Sequence, residues 1–154
     1  MREHLVSALI LLLPVYASAQ TAPPGWKTIK DSKNACQIAV PPEWSPLGET
    51  SGAAVLQDAS TAIAAVTSQP GQTFKPLSEA LLKSLEIRRD KLFENSARRI
   101  FYQDKFSRNA DDSNAYSASV PGKGGTCSCH LAVLPNVAEE IVRKIALSLG
   151  SVTE

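Results

Sequence analysis

Histidine is almost absent from this sequence, and the motifs that mark familiar catalytic sites are missing altogether. Only His130 lies beyond the first few residues. Any Ser–His–Asp arrangement therefore depends on that one base, and no GxSxG elbow exists to present a nucleophile. The three cysteines form no CxxC pair, and Cys127-Ser-Cys-His130 lacks the spacing of zinc ribbons and of haem attachment. A formal charge of +1 excludes the marked basic excess expected of a nucleic-acid binder. No apolar run reaches the about 20 residues that a spanning helix needs. The glycine-rich Pro121–Gly125 has no Walker lysine–serine context and reads as a hairpin turn. Asp111-Asp112-Ser113-Asn114 lacks the spaced acidic ligands and terminal glutamate of a calcium loop, and reads as a solvated turn.

What is present begins with an export signature. Arg2 is followed by the short apolar run Leu5–Leu13 and the small-residue box Ala17-Ser18-Ala19. That order is expected of a secretory signal peptide, residues 1–19, cleaved after Ala19. Gln20 stands where a lipoprotein would carry its acylated cysteine, so no lipid anchor is expected. The chain then divides into a lead-in (20–25), a single domain (26–150) and a short tail (151–154). The expected location is the periplasm or the extracellular medium.

Element by element, Trp26–Lys30 reads as a short strand and Asp31–Asn34 as turn material. Ala35–Val40 is a second strand with Cys36, Ile38 and Val40 on one face, stopped by Pro41-Pro42. Trp44 is expected to fold back into the core. Ala53–Gln57 and Ala62–Ser68 form a hairpin across Asp58-Ala59-Ser60. Pro76–Glu94 reads as one helix, with Leu77, Leu81, Leu82, Leu85, Leu92 and Phe93 as its apolar stripe. Arg99–Phe106, Ala115–Val120 and Thr126–Leu134 are strands. In the last of these Cys127, Cys129, Leu131 and Val133 share an apolar face, and His130 points the other way. A second helix follows, capped by Asn136 with Glu139 behind it, striped by Val137, Ile141, Val142, Ile145 and Leu149, and ended by Gly150. This order predicts an α+β domain, an antiparallel sheet packed by two amphipathic helices.

Four segments resemble the PsbP-like superfamily: WKTIK, IAVPPEW, the helix opening PLSEALL, and the terminal IALSL. The resemblance implies an α/β/α sandwich and a binding or assembly role. It carries no catalytic motif, and it supplies no functional residue.

The chemistry-bearing residues are Cys36, Cys127, Cys129 and His130. Two thiols spaced two apart on one strand face lie about 7 Å apart with parallel side chains, too far for an unstrained bond. Export favours a disulfide, so the expected pair is Cys36–Cys127 or Cys36–Cys129, closing a loop of roughly 90 residues and contributing about 4 kcal/mol. The competing reading makes all three cysteines small core residues. A sharper alternative sets zinc or copper(I) on Cys36, Cys127, Cys129 and His130. Arg88, Arg89, Lys91, Arg98 and Arg99 could form a basic patch for an anionic partner, but Glu86, Asp90 and Glu94 dilute it, and the expected reading is an ordinary charged helix face. The sequence thus predicts a monomeric, non-enzymatic, exported domain without a cofactor, binding a protein or small molecule at the cell envelope. The alternative is a thiol-based metal-binding or redox protein. A hydrolase would rest on His130 alone.

Overall fold

The computed structural model describes residues 21–48, 51–56, 62–104 and 114–152. The expected signal peptide, the expected turn at Asp58–Ser60 and the expected solvated turn at Asp111–Ser113 lie outside them. The strands are β1 (Lys27–Lys30), β2 (Cys36–Val40), β3 (Trp44–Pro46), β4 (Ala53–Leu56), β5 (Ala62–Pro70), β6 (Leu92–Asn95), β7 (Ile100–Asp104), β8 (Asn114–Gly122), β9 (Gly125–Val133) and β10 (Gly150–Ser151). The helices are α1 (Glu79–Ser84) and α2 (Glu139–Leu147).

These strands form two antiparallel sheets. Seven make a large sheet in the order β3-β4-β5-β9-β8-β7-β6, and three make a small one, β1-β2-β10. Alternation along the strands places the core. Val66, Cys129, Ala118 and Phe101 stand in one register row across β5, β9, β8 and β7, and all are buried. Against this inner face pack Cys36, Ile38 and Val40 of β2 and Val142, Ile145 and Ala146 of α2. Trp44 is fully buried in the same core, as its position after the double proline leads one to expect.

The expected α/β/α sandwich is not what the chain forms. Strand accounts for 47% of the described residues and helix for 16%, so the architecture is mostly antiparallel β. The largest departure is the predicted helix Pro76–Glu94. Helix α1 has only six residues, and its exit at Glu86 takes a positive φ of 53°. A tight 3₁₀ turn at Arg89–Lys91 then leads into β6. The reason is aromatic burial. As a strand, β6 brings Phe93 to 4.8 Å from Phe101 and 6.3 Å from Tyr116 on the inner face. So short a helix adds little stability of its own, and that packing outweighs its continuation. Leu81 and Leu85, assigned to a core stripe, are instead exposed.

The segment after β5 crosses the outer face of the large sheet and is fastened at both ends. Thr126 Oγ1 donates to the Gln72 carbonyl at 2.9 Å. The Asn95 amide clasps Leu77, accepting from its N–H at 2.8 Å and donating to its carbonyl at 2.9 Å. Helix α2 starts two residues later than Asn136 predicts: Ala138 occupies the cap and supplies no side-chain bond. The apolar stripe is where the periodicity puts it. Gly150 does more than end the helix, because it pairs with Gln37 as part of β10.

Candidate functional site

Of the four residues proposed for thiol or metal chemistry, the structure joins two. Cys36 and Cys127 form a disulfide with Cα atoms 5.6 Å apart, stapling β2 to β9 and so one sheet to the other. Cys129 is a free, fully buried thiol between Val66 and Ala118, and desolvation pushes its pKa up to about 12. His130 projects from the outer face, where Nδ1 lies 3.1 Å from Ser117 Oγ. Tyr102, Ser117 and His130 follow one another across β7, β8 and β9. Burial is the main cause raising the Tyr102 phenol above its usual value. A hydrogen bond to Ser117 opposes that rise, and the charge on Asp104 adds to it. Ser117 itself is buried, so this row offers no open nucleophile. Among the described residues no three His, Cys, Asp or Glu side chains converge on a metal position.

The charged helix face expected to carry these basic residues does not form, because α1 ends at Ser84 and Arg89–Lys91 is a 3₁₀ turn. Arg88 pairs with Asp90 and Arg89 with Glu79, each at 2.8 Å. Arg99 is buried, lies 3.6 Å from Glu94 and donates to the Leu147 carbonyl at 3.2 Å. There its charge complements the C-terminal end of α2.

A residue that sequence reasoning passed over as turn material organises the other end of the molecule. Asp31 is buried at the end of β1. Its Oδ1 accepts from the N–H groups of Ala35 (2.7 Å) and Cys36 (2.9 Å), and Oδ2 accepts from Ser68 Oγ at 2.6 Å. Desolvation works to raise its pKa. The hydrogen bonds from Cys36, Ser68, Ala35 and Lys33 outweigh that and hold the carboxyl below its ordinary value. Since Ser68 is the register partner of Cys127, the Asp31–Ser68 bond and the disulfide fasten the two sheets side by side. The available signal was the Asp-Ser-Lys-Asn turn, in which an aspartate readily bonds backbone a few residues on.

Beside this double fastening lies a cleft of about 610 Å³, lined by Thr28, Ile29, Lys30, Asp31, Ser32 and Asn34 on one side and Pro46, Gly48 and Gly52 on the other. One wall is the free edge of β1. Which backbone groups face the cleft follows from the pairing. The Ala39 N–H is used by Ser148 Oγ and the Ala35 carbonyl by Val152, so odd-numbered positions of β2 face away from β1. The Asp31 N–H bonds the Cys36 carbonyl, which puts Lys27 and Ile29 in phase with Asp31, facing β2. Thr28 and Lys30 therefore turn their N–H and C=O groups outward. Gly52 sets the separation of the walls at one end. Its φ is +65°, and a Cβ there would stand 2.7 Å from the Val66 carbonyl oxygen and 3.0 Å from Asp31 Cα. At the other end Lys27 Nζ donates across to the Trp44 carbonyl at 3.1 Å.

Among the described residues no helix is long and apolar enough to cross a membrane. No family model matches the chain, and no curated protein does. The crystal structure of a protein from Bacteroides thetaiotaomicron is similar in fold, with a TM-score of 0.51 and 13% identity across 84% of this chain. This chain spans 49% of that protein, about half its length. At that identity the likeness concerns the fold alone.

Proposed function

We propose that this protein is an exported, non-catalytic binding domain of the cell envelope, and that its ligand occupies the cleft between β1 and the wall that includes Pro46, Gly48 and Gly52. The observation that carries the reading is a pair of outward-facing backbone positions, Thr28 and Lys30, at an open cleft whose frame is fastened by a disulfide and a buried carboxylate. Export is supported by the leader-like N-terminal sequence and by that disulfide, which oxidising compartments maintain. Kinship with the PsbP-like superfamily is proposed on WKTIK, IAVPPEW, PLSEALL and IALSL, and brings no function with it. The thiol-based alternative is less well supported, since Cys36 and Cys127 are bonded to each other and Cys129 is a buried, protonated thiol at neutral pH. The test is an NMR screen of ¹⁵N-labelled protein against pooled fragments and short peptides. Amide shifts should cluster at Thr28–Asp31 and Pro46–Gly52. Shifts confined to the His130 face, or none at all, would remove the proposal.

A further inference from the structure

We infer that Cys129 is a transfer thiol: a bond made first between Cys127 and Cys129 carries the oxidising equivalent into the core, where Cys36 takes Cys127 and releases Cys129. The placement of the three sulfurs sets the problem. Cys36 and Cys127 are each 1% exposed between the two sheets. The cavity beside them, about 30 Å³, admits a water molecule and nothing the size of an oxidant. Once the sheets have closed, the bond has to be delivered from within. In the open chain these two cysteines are also distant, 91 residues apart, whereas Cys127 and Cys129 are separated by Ser128 alone. Ring closure falls roughly as the three-halves power of loop length, so even a stiff short ring leaves the neighbouring thiols about tenfold or more ahead.

The folded chain rejects that local bond. In β9 both side chains stand on the inner face, about 7 Å apart and parallel, which no unstrained disulfide spans. Strand formation therefore drives exchange. The Cys36 thiolate attacks Cys127 Sγ, the Cys36–Cys127 bond forms, the Cys127–Cys129 bond breaks, and the electron pair leaves on Cys129 Sγ, which takes a proton. One disulfide replaces another with no net oxidation. The earlier step removes two electrons and two protons from Cys127 and Cys129, and a small disulfide such as glutathione disulfide accepts them, becoming two thiols. Register chooses the sulfur that Cys36 keeps. Ser68, opposite Cys127, donates to Asp31 at 2.6 Å, and Asp31 accepts from the Cys36 N–H; a Cys36–Cys129 bond would slide β2 two residues along β9 and break that contact. The released Cys129 is closed in between Val66 and Ala118, where desolvation lifts its pKa to about 12 and leaves no thiolate to reverse the step.

The test is oxidative refolding. Reduced protein is diluted from denaturant into mildly alkaline glutathione disulfide, samples are quenched with acid, and bonds are mapped by mass after alkylation and tryptic digestion. A bond inside the peptide that follows Lys123 should appear first and decay as the Cys36 crosslink rises. That intermediate, freed of glutathione and returned to mildly alkaline buffer, should convert to Cys36–Cys127 unaided. Cys129→Ala keeps both native partners and should form the native bond at least about tenfold more slowly at the same oxidant concentration. Equal or faster formation in Cys129→Ala would make the local bond a side product and overturn the inference. So would a Cys36 crosslink that precedes the local bond, or a purified intermediate that persists. The last two readouts use the unaltered chain and hold however the variant folds.

Discussion

Opening the Cys36–Cys127 bond frees a 91-residue stretch of chain, and the size of the effect follows from that length. On the chain-entropy account, a loop of this length restrains the unfolded chain by about 4.6 kcal/mol at 25 °C. Small secreted domains typically lose about 2–5 kcal/mol when a native disulfide is removed. The whole stability of a domain this size is about 5–15 kcal/mol, so the bond accounts for a large share of it. With a melting entropy near 2.1 cal/mol/K per residue over about 130 residues, a loss of about 2–5 kcal/mol is a drop in melting temperature of about 7–18 °C. The folded side adds to it. Both half-cystines are 1% exposed, and a Cβ on Gly122 would be only 2.9 Å from Cys127 Sγ, so reduced sulfurs have no free space into which to separate.

The assay is calorimetry with and without a phosphine reductant, with thiols counted by mass after alkylation in denaturant. The untreated protein should alkylate once, at Cys129, and the reduced protein three times. A Cys36→Ala/Cys127→Ala double variant controls for the reductant. Three alkylated thiols accompanied by a shift under about 3 °C would refute the reasoning, because the staple would then restrain nothing that Asp31 does not already hold.

Three further outcomes follow from single side chains. Asp31→Ala should cost roughly 3–5 kcal/mol, since three donors lose a charged, buried acceptor. Because the folded pKa of Asp31 is lowered, its contribution is complete above the ordinary aspartate value of 3.8 and fades as pH falls through the folded value; Asp31→Asn should therefore flatten the acid limb of a stability-versus-pH curve measured by urea titration. Cys129 shifts the opposite way: its contribution is complete below pH 9.0 and is lost towards about pH 12, so between those limits wild type should fall relative to Cys129→Ala by about 1.4 kcal/mol per pH unit, and parallel curves would contradict a sealed thiol. Gly52→Ala should cost at least about 2 kcal/mol by chemical denaturation, from the positive φ and the 2.7 Å approach to the Val66 carbonyl oxygen.

Much of the strand content was legible because alternation is a local property. Cys127, Cys129, Leu131 and Val133 share a face in any sheet, whatever lies beside them, and the same holds for Tyr116, Ala118 and Val120. What alternation leaves open is position along a neighbour. Face parity admits Cys36 to either Cys127 or Cys129 equally. The choice is made by register, which sets Cys127 opposite Ser68 beside the Asp31 turn, and Cys129 two pairs further on, opposite Val66. The long helix failed for a related reason. Leu77 to Phe93 does have helical spacing, but spacing carries no information about what the sheet edge offers, and β7 offered Phe93 a partner ring that solvent could not. Layer architecture failed with it: β6 is a local hairpin strand beside β7 that the helical spacing concealed, and β10 joins the small sheet by pairing Gly150 with Gln37, far apart in sequence.

The cleft was illegible in the same sense, and its origin in the fold explains why it stays open. Strand β2 is held by β1 and β10 along its edges, by the disulfide and the main core beneath it, and by Asp31 at its start. β1 has the β2 ladder, the burial of Ile29 in the core, and the Lys27 and Gly52 contacts at its two ends. Strong fastening of β2 thus fixes β1 in place without using its second edge. A strand tied down by its own outer pairing would have no groups left to offer. One held from behind stays fixed while the outward N–H and C=O of Thr28 take no hydrogen bond from any described residue.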